Sequence, residues 1–224
     1  MKGKNHLILW LVLFIFLTTF SYNLDKKEKH STLPIKIINI EGIINSNEKE
    51  LNKNLEKLKG KSLIFISRNI IKESINDLNF IKEIKVKKIY PDTIKIIVVE
   101  LKPLGNFINK DSKFLILESG DLIENSSENK FDKLPIILGY GAEKKFHIFY
   151  QSLMMENFEI DIIKEFNYFK INRWDIVLKD GKIIKLPINK YEDSIKEFLS
   201  IYKKKDYYNF KVFDFRIKGQ LILK

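Results

Sequence analysis

Hydrophobic positions fall along the chain in three regimes, and each predicts a different kind of element. The first is continuous. Leu7 to Leu17 is an unbroken apolar run followed by Thr18, Thr19 and Phe20, with Lys2 and Lys4 ahead of it and no acidic residue before Asp25. A helix from Leu7 to Leu24 rises about 27 Å at about 1.5 Å per residue, just short of the roughly 30 Å hydrocarbon slab of a bilayer. The same run fits the apolar region of a cleavable signal, with Thr19 and Ser21 at small-x-small spacing. Hydropathy therefore leaves a retained anchor and a removed leader both open, and the lysines on either side (Lys2 and Lys4 against Lys26, Lys27 and Lys29) orient it only weakly.

The second regime is short and periodic. Residues 25–34 read as a linker ending at Pro34, and residues 35–40 then alternate up to Gly42, which predicts a strand. Asn47 with Glu50 three residues later resembles a capping box, ahead of Leu51, Leu55 and Leu58 at helical spacing and the breaker Gly60. Ser67 caps a second helix with the stripe Ile71, Ile75 and Leu78. Ile84, Val86 and Tyr90 run into the turn Tyr90-Pro91-Asp92-Thr93, and Ile94, Ile96 and Val98 return, with Lys85, Lys87 and Lys95 on the other side. The predicted order β-α-α-β-β is a small α+β unit with two helices on one face of a three-stranded sheet.

Pro103 marks a seam, and beyond it lies a longer, strand-rich and aromatic regime. Phe114 to Leu117 and Asp121 to Glu124 form a hairpin around Glu118-Ser119-Gly120, and Leu134-Pro135 leads to Ile136–Leu138 and the loop Gly139-Tyr140-Gly141. Residues 142–157 predict a helix burying Phe146, Phe149, Leu153 and Met154. Trp174, Ile176 and Leu178 face Ile184 and Leu186 in another hairpin. A three-residue loop at Asp180-Gly181-Lys182 is preferred there, pairing Leu178 with Ile184 and Ile176 with Leu186. Tyr191 to Lys203 predicts a helix presenting Ile195, Phe198, Leu199 and Tyr202. The last segment, 211–223, alternates as one strand with Phe213, Phe215, Ile217, Leu221 and Leu223 on one face. A terminal strand of this kind offers unpaired backbone groups to a partner strand unless Lys218 and Gln220 protect it.

Composition narrows the functional classes. The 224 residues hold 40 Lys and Arg against 29 Asp and Glu, a formal charge of +11. Only Arg68, Arg173 and Arg216 are arginines, whereas base-edge and phosphate readers rely on the guanidinium fork, so the charge is a weak nucleic-acid signal. Lysines alternating along 82–88 and 179–185 read as solvated outer faces. Cysteine is absent, which excludes disulfides, thiolate metal sites and cysteine nucleophiles. His6, His30 and His147 are scattered, no glycine-rich phosphate loop or hydrolase elbow occurs, and acidic pairs sit at helix starts where the helix dipole accounts for them. No catalytic, metal or cofactor site is predicted.

Several motifs in order carry a resemblance. They are Ile37 to Gly42, Tyr90-Pro91-Asp92-Thr93 running to Glu100 and Pro103, and Phe114 to Gly120 ahead of Asp121-Leu122-Ile123. Leu134-Pro135 to Gly139 follows, then Trp174-Asp175 with Leu178 and Asp180-Gly181, Lys185-Leu186-Pro187, and Phe213-Asp214-Phe215-Arg216. Together they resemble the bacterial cell division family FtsQ/DivIB, in its proteobacterial branch. The resemblance implies an arm at 1–6, an anchor at 7–24, a linker at 25–34, a POTRA domain at 35–103 and a β-rich domain with a mostly antiparallel sheet and flanking helices at 104–224. It implies a non-catalytic, single-pass inner-membrane scaffold whose bulk is periplasmic and gathers at the septum. It further implies that the POTRA unit meets an upstream division protein, and that FtsB- and FtsL-like partners bind the β-domain by strand addition. Carried over by motif, that surface is Ile217, Lys218, Gly219, Gln220, Leu221, Ile222 and Leu223, with Arg173 as an acidic-partner contact. A POTRA-bearing transport or outer-membrane assembly factor is the alternative; it normally continues into a many-stranded barrel, and the chain runs to Lys224 with too few strands.

Overall fold

The computed structural model describes residues 10–15, 32–76, 78–110, 112–125 and 130–224. Residues 10–15 are helical and all exposed, Trp10 at 69% and Phe14 at 67%. The rest of the expected anchor, 7–9 and 16–24, lies outside the described residues, as do the arm at 1–6 and linker residues 25–31. Among the described residues no helix is long and apolar enough to cross a membrane.

The first folded unit follows the predicted order. Strand β1 is Ile37–Glu41, helix α1 Glu48–Glu56, helix α2 Arg68–Ser74, β2 Ile81–Ile89 and β3 Thr93–Glu100. The Asn47 side chain accepts from the backbone N–H of Lys49 and Glu50, and Ser67 Oγ from that of Ile70, so both helix starts have the partners their orphan donors need. β3 lies between parallel β1 and antiparallel β2, with Ile84 opposite Val98 and Val86 opposite Ile96. Leu51, Leu55 and Leu58 from the first helical segment and Ile71 from α2 pack on Ile84, Ile94, Ile96 and Val98 with essentially no exposure. At the end of β3 the Glu100 carboxylate accepts from the backbone N–H of Asn45 (2.6 Å) and Ser46 (2.9 Å), which ties down the loop ahead of α1.

The second unit is one nine-stranded sheet. Its strands are β4 Pro103–Asn109, β5 Ser112–Leu117, β6 Leu122–Glu124, β7 Ile136–Leu138, β8 Ile163–Phe169, β9 Arg173–Leu178, β10 Ile183–Lys185, β11 Val212–Asp214 and β12 Ile222–Leu223, in the order β12-β11-β10-β9-β8-β7-β4-β5-β6. Helices α3 (Phe146–Met155) and α4 (Tyr191–Ile201) contribute Phe146, Phe149, Phe198 and Ile201 to its core. Trp174 stacks on Phe149 with ring centroids 4.8 Å apart, and Phe198 meets Phe213 edge-on at 5.1 Å. Most of the pairings are antiparallel, as expected, but β7 runs parallel to both β4 and β8, and β10 parallel to β11.

Four expectations need correction here. Two strands escaped the pattern. β4 begins at a proline and carries Gly105 and Asn106, which read as turn residues, and β8 has a register shift between Ile163 and Glu165 that breaks simple alternation. The hairpin of β9 and β10 pairs Ile184 with Ile176, not Leu178. Its loop does hold three residues, but they are Lys179-Asp180-Gly181: the Gly181 N–H donates to Leu178 O at 3.0 Å and the Leu178 N–H to Lys182 O at 2.8 Å. Gly181 takes the left-handed conformation this bulged turn requires (φ +88°), and Asp180 Oδ1 accepts from the Lys182 N–H. Lys182 itself is not solvated; it is 9% exposed, pairs with Asp180 at 2.7 Å and lies over the Tyr208 ring. Met154 is 51% exposed and outside the core.

The two units meet across a small third cluster. Leu115, Leu117 and Phe131 of the second unit pack against Phe80 and Leu101, with Phe80 stacked on Phe131 at 6.0 Å. Polar ties frame this seam: Lys82 to Glu118 at 2.9 Å, the Glu118 N–H to Lys102 O at 2.9 Å, and Lys130 Nζ to the carbonyls of Ile44 and Asn45 at 3.1 Å each.

Candidate functional site

The C-terminal segment is not one strand but a hairpin, and this decides the geometry of the edge. β11 is followed by a turn in which the Gln220 N–H donates to Ile217 O at 3.1 Å; Gly219 takes φ +74° at the turn's third position, and β12 then returns antiparallel to β11. The break falls where Arg216 folds back on the strand. Its Nε and Nη2 donate to the Asp214 carboxylate at 2.8 and 2.7 Å, and its backbone N–H donates to the same carboxylate at 3.1 Å. The bond from the Arg216 N–H to the Asp214 side chain is an Asx turn, which diverts the chain from an extended edge, and the side-chain clamp holds it there.

β12 is the last strand of the sheet. Lys224 exchanges both backbone hydrogen bonds with Val212, so it points inward to β11. By the alternation of an antiparallel ladder, Ile222 points inward too, and the N–H and C=O groups of Leu221 and Leu223 point out from the edge. The free edge thus offers two donors and two acceptors at the spacing of a β-ladder. Around it Ile217 is 51% and Ile222 38% exposed.

An ionic row leads up to that edge. The register places Asn167, Asp175, Lys185, Asp214 and Ile222 side by side across β8 to β12. These residues alternate with Trp174, Ile176, Ile184 and Phe213, which belong to the helix-covered core, and so occupy the opposite face. Lys185 lies between two aspartates that are 6% and 5% exposed. Burial pushes the Asp175 carboxyl above its ordinary range, against the pull of Arg173, Lys185 and Arg216 and with a small further rise from Asp214. The Arg216 hydrogen bond holds Asp214 below the usual carboxylate range, against the effect of its own burial. Arg173 pairs with Asp175 at 3.3 Å and lies over the Phe169 ring at 4.2 Å. Its side chain is only 15% exposed, so it acts as a wall of the face and projects little.

Of the residues expected at this surface, Arg173, Ile217 and Ile222 line one shallow pocket together with Ile171, Ile188 and Arg216. Lys218, Gly219 and Gln220 lie on the turn and close a neighbouring cleft of about 620 Å³ against Asp193 and Glu197 of α4. Leu221 and Leu223 turn their side chains toward the core. The row Asp175–Lys185–Asp214 and the clamp residue Arg216 were not foreseen. The expected hairpin register sets Lys185 opposite Val177, and only the observed one sets it opposite Asp175. Asp175, Lys185 and Asp214 all occupy the polar phase of their strands, which is the signal that was available.

Comparison with known proteins bears on the same regions. The family described as "POTRA domain, FtsQ-type" matches residues 33–100, and "Cell division protein FtsQ/DivIB, C-terminal" matches residues 107–216. The chain belongs to the FtsQ/DivIB family. Among similar curated proteins, FtsQ of Rickettsia bellii is 29% identical over 81% of this chain and 68% of its own length. FtsQ of Rickettsia felis is 27% identical over 97% of the chain and 84% of its own. FtsQ of Rhizobium meliloti is 29% identical over 56% of the chain, and there the chain spans only 41% of the relative's length. A solved structure of the major extracytoplasmic domain of the cell division protein DivIB from Geobacillus stearothermophilus matches 48% of the chain and 96% of its own at 15% identity, with a TM-score of 0.34. In the FtsQ/DivIB frame the ionic row lies within the matched C-terminal segment, whereas the turn after Arg216 and β12 lie beyond it.

Proposed function

We propose that the chain is a non-catalytic, single-pass scaffold of the bacterial division machinery that accepts a strand from an FtsB- or FtsL-like partner along the outer edge of β12. In this reading residues 7–24 hold it in the inner membrane, and the POTRA unit at 35–103 and the β-domain at 104–224 lie in the periplasm at the septum. The POTRA unit is then free to meet an upstream division protein. One observation carries the binding proposal: the sheet ends at β12 with the backbone groups of Leu221 and Leu223 directed outward. An added strand satisfies those groups, and the exposed Ile217 and Ile222 beside them offer apolar contact at the centre of the joint. Lys218 on the turn and the guanidinium of Arg216 give the site a basic rim that suits an acidic partner segment, with Arg173 set back in the wall.

The test is binding of an FtsB-like coiled-coil partner to the full chain. Leu223→Pro removes one outward N–H and leaves the inward bonds of Ile222 and Lys224 to β11 in place. Loss of that bond, at about 0.5–1.5 kcal/mol, together with the rigid proline ring predicts affinity weakened by roughly tenfold. Unchanged affinity in a variant that retains its Trp174 signal would refute strand addition at β12. Even distribution of a fluorescent fusion around dividing cells, in place of midcell accumulation, would count against the divisome role itself.

A further inference from the structure

The POTRA unit carries large apolar side chains that its own core does not use. Phe65 is 78% exposed, Tyr90 59%, Ile37 50%, Ile64 43% and Ile89 40%. Scattered singly they would need no account, but they converge at one end of the unit. The Ile35 N–H donates to Lys61 O and the Leu63 N–H to Leu33 O, each at 2.9 Å, while the Lys36 N–H donates to Asp92 O at 2.8 Å. Lys88 Nζ reaches Ile64 O at 2.7 Å. Segments 33–37, 60–65 and 88–92 therefore form a single end, and it is the end at which the chain arrives from the apolar run 7–24.

Charge is distributed in the same sense. Segments 32–37, 56–66 and 86–93 hold six lysines (36, 57, 59, 61, 87 and 88) against two acids, Asp92, which pairs with Lys36, and Glu56, which pairs with Lys59. Glu41, Glu83 and Glu100 occupy the opposite ends of the strands. Eight residues separate Leu24 from Leu33, a tether of at most about 32 Å even when fully extended. An apolar and aromatic tip ringed by lysines and held this close to a bilayer has the composition of an interfacial membrane contact.

We propose that this end of the POTRA unit is a second, peripheral membrane contact, with Phe65 and Tyr90 seated at the interface of an anionic phospholipid surface and Lys61, Lys87 and Lys88 on the headgroup phosphates. The contact rests on reading residues 7–24 as an anchor. It fixes the tilt of the folded part relative to the bilayer, which a tether alone leaves free.

The absence of cysteine makes the test direct. Phe65→Cys and, as a reference, Tyr140→Cys, 82% exposed in the second unit, each take one nitroxide label. The full chain is placed in vesicles of phosphatidylethanolamine with phosphatidylglycerol, in phosphatidylcholine vesicles and in detergent micelles. Collision of the label with oxygen and with a water-soluble nickel chelate reads its surroundings. The label at 65 is expected in the lipid interface of the anionic vesicles and that at 140 in water. Lys61→Gln and Lys87→Gln are each expected to lower the contact by about fivefold. A chain that floats with the vesicles while the label at 65 stays as wet as that at 140 overturns the contact and spares the anchor. A label at 65 that is equally shielded in every medium reports a protein partner there and overturns the lipid assignment. A chain that does not float with vesicles overturns the anchor, and the contact with it.

Discussion

The two folded units solve the same packing problem with different materials. Among the described residues, the buried core of the POTRA unit is entirely Leu, Ile and Val, whereas nine of the 21 core residues of the β-domain are Phe or Trp. The difference follows from geometry. Two short helices over three strands leave a thin space that branched aliphatic side chains fill. In the β-domain α3 and α4 are spread over a much wider sheet, and rings are needed to bridge the gap. Phe149 does so by stacking on Trp174 while meeting Phe166 edge-on at 5.9 Å and Tyr191 at 5.3 Å. Such pairs add roughly 0.5–1.5 kcal/mol beyond their buried area and also fix direction, which aliphatic contacts do not. The unit that holds the candidate binding edge is thus the one whose core specifies orientation more strictly.

The strongest way to break this comparison is Trp174→Ala. It deletes the ring that Phe146, Phe149, Phe166 and Tyr168 share, and about 3–5 kcal/mol of stability should go with it. If the two cores are separable, urea unfolding followed by circular dichroism then splits into an early β-domain step and a later POTRA step. A single shifted transition would mean that the seam makes the two one cooperative body. A milder probe of the seam is Phe80→Ala. It removes the stack on Phe131 at a cost of about 1–2 kcal/mol and should separate the transitions without touching either core.

The smallest effect is electrostatic and confined to the ionic row. Asp214 has its folded pKa lowered, so its contribution is present above the ordinary value near 3.9 and is lost as pH falls through the lower folded value. Asp175 has the opposite sign. Its folded pKa is raised, so the protein is favoured while the carboxyl is protonated, and that advantage fades as pH rises through the raised value. Acidification from neutral pH toward about 4 should therefore cost Asp175→Asn more stability than the parent, and acidification from about 4 downward should cost Asp214→Asn less, each by no more than about 1 kcal/mol. Denaturant midpoints measured across both ranges check both signs.

The same contrast explains what could be read in advance. The POTRA unit was legible because its signals are local: Asn47 and Ser67 cap their helices, Leu51 and Leu55 keep helical spacing, and a tight turn at Tyr90-Pro91-Asp92 sets the register of β2 and β3. In the β-domain the decisive information is non-local. Parallel neighbours β4, β7 and β8 are joined by long connections that imply no register, so nothing near Gly105 or Phe166 announces a strand. The terminal segment alternates as one strand should, yet the Arg216 clamp on Asp214 and the turn at Gly219 fold it in two. A two-residue error in pairing Ile176 was enough to hide the Asp175–Lys185–Asp214 row.

The unbroken order of the nine strands has one more consequence. β6, beside the seam with the POTRA unit, and β12, at the free edge, are opposite margins of a single hydrogen-bonded sheet. Eight inter-strand spacings at about 4.8 Å make that sheet a spacer of about 38 Å. A strand docked on β12 is then held at a stand-off set by strand count and not by any flexible loop. In the proposed strand-addition mode, a pull on the docked strand would load every ladder in series back to the seam, with the domain as both ruler and strut.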